Sequence, residues 1–175
     1  QTGGDIKSML RTVFLSAEFA QAPPKLKRPI TLMASALRAL RADIRNRGIR
    51  EIAQRLRWMG HIPFMWPMPD GYPDVANDWL NNLLPRWNFA FDLISGGFEQ
   101  IDIDFDQLTE AAQVADVPGA LRFFSRLTLG HALNTELLAQ LEQHVGATDL
   151  SQDGVRQRVG EAIAALLASP EFQWM

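Results

Sequence analysis

No stretch of this chain alternates apolar and polar residues long enough to make a half-buried strand, whereas apolar residues return every three or four positions in segment after segment. That contrast constrains the fold before anything else, and the expected class is all-α. Asp5 carries the side chain of a helix N-cap, and Ile6, Leu10, Val13, Phe14 and Ala17 keep the 3.6-residue period until Pro23 and Pro24 stop it. Pro29 stands where a first helical turn accepts proline. Met33, Leu37, Leu40 and Ile44 then form one stripe and Gly48 suits a left-handed C-terminal cap, so the pattern predicts one helix over residues 29–47. Ile49, Ile52, Leu56 and Met59 predict a shorter helix closed by Gly60.

Further on, a helix is expected to open near Asp74 or Asn77 with Trp79, Leu80, Leu83 and Leu84 inward. Pro85 either kinks it or starts a second helix carrying Trp87, Phe91 and Ile94, which Gly96 and Gly97 end. Asp106 reads as the next N-cap. Val117-Pro118-Gly119 punctuates the chain before Leu121, Phe124 and Leu127, with Gly130 after them. Asn134 or Thr135 caps a helix closed by Gly146, and Asp153 opens one with Val155, Val159, Ile163, Leu166 and Leu167 on one face. Helices so short and unequal do not suit a regular four-helix bundle. The expectation is a single compact domain over residues 1–175, with about seven to nine helices in irregular or orthogonal packing.

The chain's 175 residues, 47% of them apolar, suffice for one filled core. Absence of cysteine excludes disulfides and thiolate catalysis. No run of 18 apolar residues occurs, so no membrane span is expected. Gln1 opens the chain without an initiator methionine or a charged-then-apolar leader, which reads as a processed or cut chain retaining no signal peptide.

A net charge of −3 conceals a sorting of charge along the chain. Residues 1–57 hold 12 of 17 basic and 4 of 20 acidic residues, net +8, whereas residues 58–175 are net −11. Seven arginines fall between Arg38 and Arg57. On the predicted helix Arg38, Arg41 and Arg45 form a row beside the apolar stripe, able to grip phosphates. Nucleic-acid binding by that row is the weakest of three functional readings, because a pI of about 5.6 lies far below a nucleic-acid binder's. Docking onto the acidic half or onto another region of the protein fits the row better.

Residues 61–74 contain four prolines among Phe64, Trp66 and Tyr72, and proline there rules out both helix and central strand. The segment is expected to be an aromatic loop ordered against the helices, because a linker would leave large apolar side chains in water. Rigid aromatic faces make binding surfaces at low entropic cost, and Phe64, Trp66, Tyr72, Trp79 and Trp87 are the candidates for one. The competing reading is that these rings only cover an end of the core, with Trp79 and Trp87 as inward anchors on either side of Pro85.

The two ends of the chain echo each other: Ile6, Leu10, Val13, Phe14, Ser16, Glu18 and Phe19 align at an offset of 153 with Val159, Ile163, Leu166, Leu167, Ser169, Glu171 and Phe172. Duplication and convergent helix-turn chemistry explain it equally well.

The run Trp66-Pro67-Met68-Pro69-Asp70-Gly71-Tyr72-Pro73-Asp74, then Trp79-Leu80, then Arg86-Trp87-Asn88-Phe89-Ala90, resembles the bacterial family known as domain of unknown function 1800. Its flanks agree: Thr2 to Ile6 with Phe19, Lys27 to Pro29, Ser35 to Ala39, and Leu167 to Gln173 match the family's motifs. The resemblance implies that this chain is the C-terminal part of a protein several times longer. It also implies a periplasmic or secreted setting, and it transfers no catalytic residue or cofactor.

Candidate chemistry outside the loop is sparse. Asp102, Asp104 and Asp106 have the spacing of half a calcium loop, but Gln107 and Gln113 occupy the positions that need glycine and a bidentate acid. A briefly extended connector with Asp106 as a helix cap is the better reading. His61, His131 and His144 are 70 and 13 residues apart and share no helical turn, so no metal site is expected. Nucleophile elbows, P-loops and dinucleotide fingerprints are absent. The preferred expectation is therefore a non-catalytic structural or interaction module with no cofactor, meeting the upstream region of its own polypeptide or a protein partner. The alternative is part of an enzyme whose catalytic groups lie upstream, with Asp70, Asp74, Arg86 and Asn88 as the polar groups nearest the loop.

Overall fold

Asp5, itself extended, accepts hydrogen bonds from the Lys7 and Ser8 N–H groups, which starts the first helix, α1 (Ile6–Phe14). The computed structural model in which this is seen describes residues 3–175; Thr2, which opens the Thr-Gly-Gly-Asp-Ile motif, lies outside the described residues. Ser16 then caps a single turn, α2 (Ala17–Ala20), through the Phe19 N–H. Seven further helices of seven or more residues follow: α3 (Pro29–Ala39), α4 (Gly48–Trp58), α6 (Leu83–Ser95), α7 (Phe105–Ala111), α8 (Val117–Leu129), α9 (Thr135–Val145) and α10 (Val155–Ala168). Two more single turns, α5 (Asn77–Leu80) and α11 (Pro170–Gln173), complete the set.

α10 lies at the centre and packs on α6, α8, α9 and α11, so the mostly helical chain forms one domain around a buried strip of Val155, Val159, Ile163, Leu166 and Leu167. Gly160 lets α10 approach α6: a Cβ there would stand 3.1 Å from Ile94 Cγ2. Glycine at Gly96, Gly130 and Gly146 takes the left-handed conformation and ends α6, α8 and α9, as their positions predict.

Three local expectations need correction. The helix predicted over residues 29–47 stops at Ala39, Arg41 takes φ 49°, and Asp43–Ile44 (β1) pairs antiparallel with Ile101–Asp102 (β2). A long-range backbone pairing has overridden a strong local helix preference. Gly48 is accordingly the first residue of α4 and not a C-cap; a Cβ on it would lie 2.7 Å from Ile44 Cγ2 and 2.9 Å from the Gln100 carbonyl oxygen. Finally, α7 is capped by Asp104, which accepts from the Gln107 N–H at 2.8 Å, and α10 by Gly154, leaving Asp106 and Asp153 without the capping roles expected of them.

Candidate interaction site

Gly60, at φ 73°, turns the chain off α4, and the His61 N–H donates to the Leu56 carbonyl at 2.8 Å. That places the imidazole inside the protein, where Nδ1 accepts the Ile30 N–H at 3.4 Å. Arg28 gives α3 no side-chain cap, so a histidine from another part of the chain satisfies one of the free N–H groups of its first turn. An accepting Nδ1 is an unprotonated one. Burial, with the charges of Arg28 and Arg86, holds the imidazole below its ordinary pKa of 6.5.

Around His61 the proline segment closes into an aromatic nest. The Tyr72 ring lies 4.4 Å and the Trp79 ring 5.2 Å from His61, and Trp66 meets Tyr72 at 4.9 Å. Each polar tip has a partner: the Tyr72 hydroxyl donates to the Ile62 carbonyl at 2.7 Å and accepts its N–H at 3.1 Å. Trp79 Nε1 donates to the Pro73 carbonyl at 3.0 Å, and Trp66 Nε1 to Asp70 at 3.1 Å. Asp74 ties the loop to the segment before α3 through Lys25 and Arg28, and the Lys25 hydrogen bond holds its carboxyl below the usual range.

The structure thus unites Trp66, Asp70, Tyr72, Asp74 and Trp79, but not the other candidates. Phe64 is fully exposed, which contradicts the expectation that it packs against the helices, and it is held in the left-handed conformation at φ 63°. Trp87 is 43% exposed and is no core anchor, and Asn88 faces solvent. The buried face of α6 is Arg86, Phe89, Ala90 and Leu93, one residue out of phase with the predicted Trp87, Phe91 and Ile94 face. Leu80 and Leu84 likewise point outward. Apolar residues cover more than half of this helix, so periodicity alone leaves two phases open, about 100° apart. Leu84, Trp87 and Phe91 consequently form an exposed apolar stripe at i, i+3 and i+7.

Arg38, Arg41 and Arg45 are all exposed but are not one row, since α3 ends before Arg41. Arg45 stands 4.0 Å from Asp43 and from Asp102. Asp102, Asp104 and Asp106 turn to Arg45, to the α7 N-terminus and to Arg156, so they do not converge.

Two residues that sequence reasoning passed over complete the site. Gln173 is buried; its Oε1 accepts from Arg86 Nη1 at 3.1 Å, and its Nε2 donates to the Leu167 carbonyl at 3.0 Å. Lys27 is buried with Nζ 3.8 Å above the Phe172 ring, and its N–H donates to the Gln173 carbonyl at 2.8 Å. Both lie in segments that carry the family resemblance, Leu167 to Gln173 and Lys27 to Pro29, which was the signal available for them. Segments distant in sequence, around Lys27, His61, Arg86 and Gln173, are thereby brought together by the fold.

The fold and this site define a mostly helical domain whose aromatic-proline loop is tied to the segment before α3 through Asp74 and to the first turn of α3 through His61, while Arg86 and Lys27 join α6 and that same segment to the C-terminal Gln173. It belongs to the family described as Protein of unknown function (DUF1800), whose sequence profile matches residues 1–174. Comparisons with curated proteins and with solved structures gave no match.

Proposed function

We propose that this domain is a non-catalytic structural and interaction module that docks onto the upstream region of its own polypeptide or onto a protein partner. The observation that carries the reading is the second apolar face of α6. Leu84, Trp87 and Phe91 are exposed at the spacing with which helices enter partner grooves, while the opposite face fills the core. Phe64, fully exposed on a left-handed backbone, adds an aromatic side chain at a strained position of the kind that accumulates at functional loops. Aromatic side chains with few rotatable bonds are effective anchors of such contacts.

The combined variant Leu84→Glu, Trp87→Glu, Phe91→Glu tests this. Urea unfolding should change by less than about 1 kcal/mol, as surface substitutions do, whereas Phe89→Ala on the buried face should cost about 3–5 kcal/mol. Binding to the upstream region of a longer family polypeptide, supplied as a separate chain and followed by calorimetry, should weaken at least about tenfold. Unaltered binding by the folded triple variant would overturn the reading.

A further inference from the structure

Among the described residues Arg86 is the only buried arginine, at 0% exposure, and none of the ion pairs includes it. Its one hydrogen bond runs from Nη1 to a neutral amide oxygen of Gln173, which the Gln173 to Leu167 bond holds in that orientation. Nε and Nη2 are buried and meet no acceptor among the described residues. These two atoms form the side edge of the guanidinium, where two N–H bonds run parallel and match the two oxygens of a carboxylate. The Ser169 hydroxyl, on the turn whose carbonyl accepts the Gln173 N–H at 3.1 Å, is a third buried group without a partner. Lys27, buried against Phe172 and bonded through its backbone to Gln173, is a second buried cation with no acidic partner among the described residues. Burial lowers the pKa of Arg86 to about 10, so it stays charged at neutral pH.

A charge enclosed in this way is expensive unless an anion joins it, and the polar atoms left over have the shape of one carboxylate fork. A tetrahedral phosphate would bring further oxygens and a second charge that a single guanidinium edge leaves unpaired. We propose that the Nε–Nη2 edge of Arg86, with its opposite edge fixed by Gln173, is a binding site for a single carboxylate group. That group comes from a small organic acid or from an Asp or Glu side chain of a docked polypeptide. The site stands apart from the exposed face of α6 and does not depend on the docking assigned to it.

Acetate is the first probe, since the site is enclosed and acetate is little more than the group itself. Sodium acetate is titrated against sodium chloride at equal ionic strength while the arginine Nε–H resonances are followed by NMR, with Arg86 assigned from the spectrum of Arg86→Lys. A saturable downfield displacement of the Arg86 resonance is expected with acetate. No displacement, one that chloride reproduces, or a stronger one with inorganic phosphate would overturn the proposal. Arg86→Lys keeps the charge and loses the fork, so its acetate affinity, read by thermal shift, should fall at least about tenfold. Should that variant fail to fold, Gln173→Glu offers a second route, because it places a carboxylate beside Nη1 and so supplies the anion from within. It should raise Tm and weaken acetate binding about tenfold or more, and a lower Tm with undiminished acetate binding would count against the site. N-acetylglutamate α-amide presents a side-chain carboxylate as a polypeptide does. Tighter binding than acetate's assigns the site to a docked side chain, and weaker binding assigns it to a free acid.

Discussion

His61 is a residue whose chemistry contradicts its reputation. Histidine in a pocket of aromatic rings invites a catalytic or metal-binding interpretation, yet here both its burial and its Nδ1 acceptor bond require the neutral form. Protonation would remove the acceptor from the Ile30 N–H and set a positive charge at the positive end of α3, beside Arg28 and Arg86. The sign of the pH effect follows. The folded pKa lies below the unfolded value of 6.5, so above that value both states are neutral and the group contributes no pH dependence. As pH falls below it, the unfolded chain takes up the proton first, and stability declines by at most about 1.4 kcal/mol per pH unit until the folded pKa is reached. His61→Asn keeps an acceptor near Nδ1 and cannot titrate. Denaturant curves recorded from about pH 7.5 down to about pH 5 should show the wild type losing stability faster than the variant, and parallel losses would refute the assignment.

At the scale of elements, the boundary between α3 and α4 shows where local preference yields to tertiary structure. Residues 40–47 have the composition of a helix, but Ile44 pairs with Ile101 and the turn back into α4 passes so close that Gly48 has no room for a Cβ. Gly48→Ala is therefore expected to destabilise the protein by about 1–3 kcal/mol, through contact with Ile44 and the Gln100 carbonyl, although alanine is the better helix former by about 1 kcal/mol. Urea unfolding decides the sign, and a neutral or stabilising result would show that the turn between β1 and α4 relaxes freely. The same contest explains what the sequence made legible. Asp5, Asn134, Gly96 and Gly130 act through bonds to near neighbours and were found where the pattern put them. The end of α3 and the phase of α6 depend on partners some 50 residues away or more, and no local window contains them. In the site, the aromatic loop was legible because prolines and indoles are conspicuous, whereas the Arg86–Gln173 bond spans 87 residues between ordinary-looking side chains.

For the whole molecule, the echo between the two chain ends has acquired a structural counterpart. α10 runs into the Ser169 turn and α11 much as α1 runs into Ser16 and α2, so each end is a helix followed by a serine-started single turn. Their surroundings differ completely. Ile163, Leu167 and Phe172 are buried, while their counterparts Leu10, Phe14 and Phe19 are exposed, and the Phe14 and Phe19 rings meet edge to face with centroids 5.2 Å apart. An amphipathic helix with nothing against its apolar stripe gains little from that stripe, because burial and not amphipathicity supplies the free energy. Matched substitutions at the two ends separate motif from context. Ile163→Ala and Phe172→Ala should each cost about 2–5 kcal/mol in the isolated domain, whereas Leu10→Ala and Phe19→Ala should cost less than about 0.5 kcal/mol. Equal losses at both ends, measured by urea unfolding, would mean that α1 and α2 are packed in solution. The expected inequality would instead leave the N-terminal arm as a second apolar surface, in addition to the α6 stripe, that is stabilised only when something covers it.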